Sequence, residues 1–269
     1  MSTYPTLEEF DFPVALAVSD SREVLTFTGA TEEVFDWKSV TKPLAAWATL
    51  VAIDRGHLAL DDPAGPDGST VRHLLAHASG LPFEEGPTQS PEKRRVYSNM
   101  GFDVLAEHVG HAVGSSFDDW MRASVLEPLE MDSVELSGSA AFGASGTITD
   151  LLALALELLV PTLVTAELAE QARTVQFPGL DGVLPGFGRQ QHNDWGLGME
   201  IRDHKSPHWT AEDASPDTFG HFGQSGSFVW VDPGADLTAV FLGERPFRQD
   251  THARLWPRLN TEILASHRG

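Results

Sequence analysis

The stretch of sequence that decides the fold is SVTKPLAAWATLVAIDRG, residues 39–56. Its long run of mostly apolar residues predicts a buried helix that ends at Gly56. Proline is tolerated in the first turn of a helix but not in its interior, so Pro43 predicts that the helix begins close to Ser39. Positions i and i+3 of a helix share a face, so Lys42 can reach the Ser39 hydroxyl.

This S-x-x-K tetrad indicates nucleophilic catalysis. A serine hydroxyl is a weak nucleophile until a neighbouring base takes its proton. Burial in an apolar helix disfavours a charged lysine, which lets Lys42 serve as that base, and the helix dipole favours an oxyanion beside Ser39. A second tetrad, Ser90-Pro91-Glu92-Lys93, lies in a polar Gly/Pro-rich loop and precedes no apolar helix. We therefore reject it.

Two further elements carry candidate site residues. In Tyr97-Ser98-Asn99, a phenol near a lysine ammonium is expected to have a lowered pKa and to transfer protons. In His221-Phe222-Gly223, a glycine at a strand edge allows close approach of a substrate. The next backbone amide, that of Gln224, can donate to an oxyanion. Taken alone, each element also fits a structural role, as a turn tyrosine or a glycine-rich strand.

The two ends of the chain predict strands and the middle predicts helices. Strand hairpins are expected at 14–18 with 24–27 and at 227–231 with 237–242, where Asp232-Pro233-Gly234-Ala235 supplies the turn. Helices are expected at 39–55, 70–79, about 99–112, 151–164 up to its proline, and about 249–266. Gly/Pro-rich loops are expected at 62–68, 84–91 and 178–190. The sequence therefore predicts an α/β (α+β) fold in which N- and C-terminal strands form one antiparallel sheet and a mostly helical lobe is inserted.

Composition limits the possible partners. The chain has 269 residues, a formal net charge of −21 and no cysteine. The charge argues against nucleic acid and anionic membranes as partners, and the missing cysteines exclude disulfides and thiolate metal sites. No signal-like N-terminus is seen, and the longest apolar run is too short to span a bilayer, so we expect a cytoplasmic protein with a small-molecule substrate. The oligomeric state is left open.

Other hydrolase motifs are absent or incomplete. The nearest matches to the G-x-S-x-G nucleophile elbow, at 143–147 and 223–227, lack the final glycine, which argues against an α/β-hydrolase. His73 and His77 have the i, i+4 spacing of a zinc site, but the glutamate and a clear third ligand are missing. We expect no metal or cofactor, and we expect His77 to hydrogen-bond within the corner that ends at Gly80.

The three elements together resemble the serine β-lactamases and penicillin-binding proteins, whose tetrad accompanies S-D-N and K-T-G motifs. With Y-S-N and H-F-G in those places, the chain is most similar to class C β-lactamases, DD-peptidases and family VIII-type esterases. The stretches SVTKPLAAWATLVAIDRGHLALDDP, TVRHLLAHASGLP, VLEPLEMDSVEL and GHFGQSGSFVWVDP carry the likeness, which runs from about residue 14 to residue 245. The resemblance implies a sheet lobe (1–45 and 190–269) and a helical lobe (46–189), with the site at their seam.

The resemblance also implies residue roles. Ser39 would be the acylated nucleophile, with Lys42 and Tyr97 as proton-transfer partners. Asn99 would position the substrate and His221 would replace the third-motif lysine. Gly223 would also belong to the substrate-binding site. The Ser39 and Gln224 amides would form the oxyanion hole. No residue matches the separate deacylating glutamate of class A enzymes.

One departure from the family pattern concerns the substrate. Phe222 stands where enzymes that bind a substrate carboxylate usually have a threonine or serine hydroxyl, and leaving that anion unpaired costs roughly 1–3 kcal/mol. The sequence therefore favours hydrolysis of small, neutral, partly apolar esters. Two alternatives stay open: β-lactamase or D-alanyl-D-alanine peptidase activity, and a non-catalytic ligand-binding module of the same fold.

Overall fold

A computed structural model describes residues 3–267. Its centre is a six-stranded sheet in the order β2-β1-β11-β10-β9-β8, in which every neighbouring pair is antiparallel. The strands are β1 (Val14–Ser19), β2 (Val24–Gly29), β8 (Glu200–Ile201), β9 (Phe219–Gly223), β10 (Ser227–Asp232) and β11 (Leu237–Gly243). The two ends of the chain meet where β1 pairs with β11, which confirms the predicted sheet and both predicted hairpins.

The central strands are buried on both faces, and alternate side chains enter two different cores. In β10, Val229 and Val231 join the core on the helical side, whereas Phe228 and Trp230 join an aromatic core on the other side. Alternation of this kind follows from the two-residue repeat of a strand. The helix α5 (Ile148–Leu159) packs against β11 on the first face, and α7 (His252–His267) supplies residues of the second core.

Most remaining elements lie on the helical side. They are α1 (Thr41–Asp54), α2 (Val71–Leu75), α3 (Asn99–Val113), α4 (Phe117–Met121) and α6 (Ala166–Arg173), with a π-helical turn at Arg122–Leu126. Short strands β3 (Phe35–Asp36), β4 (Glu135–Leu136) and β5 (Ala144–Gly146) form a second small sheet, and β6 (Gly182–Leu184) pairs with β7 (Gly188–Gln190). One continuous core joins α1, α3 and α5 to the sheet. The division into lobes at 45 and 190 stays a prediction.

Two sequence predictions need correction. The helix expected at 70–79 ends at Leu75, because His77 takes a left-handed backbone conformation with φ of 54° that no helix continues through. The segment 178–190, expected to be a loop, contains the β6–β7 hairpin. Its strands have three residues each, too few for alternation of polar and apolar residues to appear in the sequence.

The helices of residues 3–267 include none with the length and apolar character needed to cross a membrane.

Candidate active site

Ser39 lies in a 3₁₀ turn, Lys38–Val40, that leads directly into α1. The turn is fixed from two sides: the Trp37 amide donates to the Ala144 carbonyl at 2.9 Å, and Thr41 Oγ1 accepts the Ala144 amide at 3.0 Å. Because the turn precedes the helix, Ser39 stands at the positive end of the α1 dipole. The helix begins where Pro43 predicted.

Lys42 is fully buried in the first turn of α1. Its Nζ donates to Asn99 Oδ1 at 2.7 Å and to the Ala141 carbonyl at 3.0 Å. Burial holds the pKa of the Lys42 amine well below its usual range, and the nearby Asp103 carboxylate offsets only part of that shift. A neutral amine has two N–H bonds, and the two acceptors match them, so its lone pair remains available.

Tyr97 lies over Lys42, with 4.6 Å between Nζ and the ring centroid. Burial raises the pKa of the Tyr97 phenol above its usual value, and hydrogen bonding with Ser39 lowers it by a smaller amount. This corrects the expectation of a lowered pKa, because burial of the phenol outweighs the hydrogen bond with Ser39. The phenol oxygen is buried without a hydrogen bond of standard geometry, so its approach to Ser39 is loose.

Asn99 is the first residue of α3 and is buried. Its Oδ1 accepts the hydrogen bond from Lys42, and its Nδ2 donates to Glu84 Oε1 at 3.3 Å. Ser98 fixes this end of the helix, because its hydroxyl accepts the Gly101 amide at 2.8 Å. Asn99 therefore orients the lysine, and it does not line the cleft described below.

The end of β9 packs directly on the Ser39 turn. An ideal Cβ added at Gly223 would lie 2.3 Å from the Trp37 carbonyl oxygen and 2.7 Å from Ser227 Oγ. Ser227 Oγ donates to the same carbonyl at 3.0 Å. Contact this close requires glycine, which explains the glycine that ends the H-F-G element.

Gln224 follows β9, and its side chain is exposed and lines the cleft. Its carbonyl accepts the Phe247 amide at 2.8 Å, which anchors the residue. Its own amide has no acceptor among the turn and loop contacts within residues 3–267. That N–H is therefore available beside the Ser39 turn.

His221 is a buried, neutral histidine. Its Nδ1 lies 2.7 Å from the Phe222 carbonyl oxygen, which can only accept, so the proton is on Nδ1. Burial and the neighbouring Lys42 hold the pKa of His221 at about 3. Nε2 is unprotonated and has no partner within the described chain. The site thus has no cation where the family resemblance implies a lysine.

These residues border a cleft of about 800 Å³. Five residues that the sequence analysis singled out line this cleft: Ser39, Tyr97, His221, Phe222 and Gln224. Phe222 packs on Phe187, with 5.7 Å between ring centroids, and on Trp256 at 5.8 Å. Phe222 is thus held in place by aromatic packing, and most of the surface that lines the cleft is apolar.

Sequence reasoning missed two residues of this wall, Trp195 and Glu200. The Trp195 ring contacts those of His77 (4.6 Å), His221 (5.4 Å) and Tyr97 (5.8 Å) and closes one side of the cleft. No motif surrounds it, so no sequence signal could have found it.

Glu200 lies at the same wall in a buried ion-pair network. Its carboxylate pairs with Lys205 at 3.1 Å and accepts from Trp209 Nε1 at 2.7 Å. Burial alone would raise the pKa of Glu200, but Lys205 and His208 outweigh it and hold the pKa at about 2. The partners lie on an irregular segment without periodicity, so their contact could not be predicted from spacing.

The alternatives rejected from the sequence have ordinary surroundings. Ser90 and Lys93 are both exposed in a loop. His73 Nε2 lies 3.2 Å from Glu92, whereas His77 Nδ1 accepts the Ser98 amide at 3.1 Å. The partner of His77 thus comes from the segment before α3 and not from the corner at Gly80. No group of three or more potential ligand side chains within residues 3–267 could hold a metal ion.

The fold has known counterparts. The Beta-lactamase family model matches residues 13–261, and the chain belongs to this family, whose members are generally serine hydrolases.

Among solved structures, a β-lactamase from Mycobacterium bovis is 49% identical, with a TM-score of 0.97 and full coverage of both chains. The hydrolase EstCE1, described as having promiscuous acyltransferase activity, is 17% identical, with a TM-score of 0.76 over 96% of this chain and 95% of its own. This second likeness shows the fold alone.

Penicillin-binding protein 4* of Bacillus subtilis is 27% identical over 140 aligned residues, which cover 39% of this chain. The match spans 31% of the length of that relative.

Proposed function

We propose that the protein hydrolyses small carboxylic esters through an acyl-enzyme on Ser39. The observation that carries the proposal is the environment of Lys42: a fully buried amine in the first turn of the helix that follows Ser39, with its N–H bonds directed to Asn99 and Ala141. Burial lowers the pKa of Lys42 and so favours the neutral amine that a general base requires. A protonated lysine could not accept the hydroxyl proton.

In acylation, Ser39 Oγ attacks the ester carbonyl carbon while its proton passes to the Lys42 amine, either directly or through Tyr97. The raised pKa of Tyr97 keeps the phenol protonated, so it acts as a donor or relay and not as a phenolate base. The tetrahedral intermediate collapses as the C–O bond to the alcohol breaks. The leaving alkoxide takes the proton held by the Lys42–Tyr97 pair.

The developing oxyanion is stabilised by the backbone amides of Ser39 and Gln224. The contact between Gly223 and the Trp37 carbonyl holds the strand close to the serine, and the α1 dipole adds to the field. Two preorganised amides at such a position typically contribute several kcal/mol, since removing one oxyanion-hole donor costs about 3–4 kcal/mol in known enzymes.

Water then attacks the acyl carbonyl and gives its proton to the same amine, and Ser39 leaves with that proton restored. The Glu200 carboxylate, which also lines the cleft, is not suited to activate this water. Glu200 is already paired with Lys205 and hydrogen-bonded to Trp209. We therefore assign activation of the water to Lys42 and Tyr97.

The preference for esters follows from the chemistry next to the nucleophile. His221 is neutral and Phe222 has no hydroxyl, so neither can pair with a carboxylate attached close to the scissile bond. The apolar wall fits the acyl chain of an ester, and burying each methylene there contributes about 0.8 kcal/mol.

A second candidate is β-lactam hydrolysis, favoured by the 49% identity to the Mycobacterium bovis protein described as a β-lactamase. The two are separated by comparing kcat/KM for p-nitrophenyl butyrate with that for the cephalosporin nitrocefin. We expect the ester to be the better substrate. Faster cleavage of nitrocefin, or of a D-alanyl-D-alanine peptide, would contradict the ester assignment.

The matched serine variants test the nucleophile itself. Ser39→Ala should abolish turnover of p-nitrophenyl butyrate, whereas Ser90→Ala, in the exposed decoy tetrad, should retain the wild-type rate. Residual turnover in Ser39→Ala with loss in Ser90→Ala would reverse the assignment.

A further inference from the structure

We propose that the cleft selects esters that carry a carboxylate at the far end of an apolar segment, and that Arg94 at the cleft rim binds this carboxylate. The inference rests on the proposed hydrolysis at Ser39 and adds the substrate class. Arg94 lines the same cleft as the neutral His221 and the apolar Phe222.

The rim is built by a small sheet. The Arg95 amide donates to the Asp181 carbonyl at 2.8 Å, and Arg95 forms a parallel bridge with Gly182 at the start of β6. In β6–β7, Val183 pairs with Arg189. Because side chains alternate along a strand, Arg94 lies on the face opposite to Arg95 and therefore shares a face with Val183 and Arg189. Arg94, Val183 and Arg189 all line the cleft.

The arginines of this region differ in what they bind. The buried Arg95 guanidinium donates to four backbone carbonyls, those of Asn193, Ala76, Gln176 and Phe177. Arg189 pairs with Asp181 at 2.6 Å. Arg94 is exposed and makes no hydrogen bond or ion pair with any residue of the described chain.

Arg94 leaves a guanidinium free for a ligand in a chain that has 39 acidic residues and 18 basic ones. Around the cleft the balance is reversed: three arginines line it against two carboxylates, of which Asp181 is paired with Arg189 and Glu200 with Lys205. The rim is therefore a local positive site in an acidic protein. Such a site selects an anion by direct contact, since long-range steering would repel it.

The single unpaired guanidinium at the rim indicates the charge of the anion that would bind there. One guanidinium without a partner matches one monoanionic carboxylate, which it can bind through two parallel N–H bonds. The cleft that contains Arg94 and Ser39 is also lined by Val96, Val183 and Leu184, so an apolar segment between the carboxylate and the ester suits it.

The experiment uses pairs of esters that differ in one charge. The acyl arm compares mono-p-nitrophenyl adipate and suberate with their methyl esters, which are neutral and of nearly the same length. The leaving-group arm compares 4-carboxyphenyl hexanoate with its methyl ester. In each pair the ratio of kcat/KM for acid over methyl ester is measured for the wild type, Arg94→Gln and Arg122→Gln. Arg122 is an exposed arginine outside the cleft, so its variant removes the same charge elsewhere.

We expect the ratio to fall roughly two- to fivefold in Arg94→Gln, as for the loss of an exposed ion pair, and to stay unchanged in Arg122→Gln. The arm that shows the fall identifies which side of the ester carries the charge. Turnover with equal ratios in the wild type and Arg94→Gln would overturn the carboxylate site alone. Absence of turnover for every ester would overturn the proposed function with it.

Discussion

Replacement of Gly223 by alanine tests how closely β9 must approach the nucleophile. The added methyl group would lie 2.3 Å from the Trp37 carbonyl oxygen, about 1 Å inside ordinary van der Waals contact. Both atoms belong to the backbone or are attached directly to it, so no side-chain rotation can relieve the overlap. The strand has to move away from the Ser39 turn.

The displacement has two separate costs. Overpacking of this kind lowers the free energy of unfolding by about 1–3 kcal/mol. Gln224 follows directly, so its amide moves with the strand, and a misplacement of about 1 Å near the reacting atoms costs on the order of 10²-fold in rate. We therefore expect kcat/KM for p-nitrophenyl butyrate to fall about 10²-fold in Gly223→Ala.

Gly220→Ala is the matched control on the same strand. Its added Cβ would lie 2.1 Å from the Val229 carbonyl oxygen, so it strains the contact between β9 and β10 and not the contact with the Ser39 turn. Unfolding in urea measures the stability of both variants, and kinetics are measured where both are folded. Equal rate losses in the two variants would refute the reasoning, because the effect would then be general strain.

Three further outcomes are expected. Tyr97→Phe should lower kcat by about 10²-fold or more, as loss of a general acid–base group does, without changing the urea midpoint by a comparable amount; an unchanged kcat would leave proton transfer to Lys42 alone. Asp103→Asn removes a carboxylate that raises the pKa of Lys42, so the acidic limb of the plot of kcat/KM against pH should move to lower pH. Glu107→Gln, one turn further along α3, should leave that limb in place. A shift of the limb to higher pH in Asp103→Asn would contradict the expected direction. Glu157→Gln should lower the free energy of unfolding in urea by about 1–3 kcal/mol and leave kcat unchanged. The reason is that the buried carboxylate accepts hydrogen bonds from Trp47 Nε1 and from the backbone amides of residues 162–163. Wild-type stability in this variant would show that these donors find other acceptors.

The sequence predicted the parts of the fold that depend on local pattern. Pro43 located the start of α1, and short apolar runs joined by polar or turn-forming residues located both terminal hairpins. The β6–β7 hairpin shows the limit of this reasoning, because its strands have three residues each and β6 is held by a bridge to Arg95, which is distant in the sequence.

The candidate site divides in the same way. Ser39 and Lys42 are close in sequence, so helix geometry alone predicts that they share a face. Tyr97 and His221 could be included because motifs mark them, yet their protonation could not be predicted. Burial decides it, and the extent of burial depends on residues such as Trp195 that arrive from distant segments.

The roles of neighbouring residues also needed coordinates. That Asn99 positions the substrate stays a prediction, and the coordinates add that its Oδ1 accepts a hydrogen bond from Lys42. Arg94 and Arg95 are adjacent and chemically identical, and only the pleat of the rim sheet makes one a buried structural group and the other a free cation. Nothing in the sequence distinguishes them.

Covalent labelling tests the central claim most directly. The protein is incubated with a fluorophosphonate, which forms a stable bond to an activated serine, and the modified peptide is identified by mass spectrometry. The structure predicts one adduct, on Ser39, and its loss in Lys42→Met, which removes the amine from a buried position but keeps an unbranched apolar side chain. An adduct on another serine, or an intact, folded protein with no adduct, would contradict an activated Ser39 and favour a ligand-binding module of the same fold.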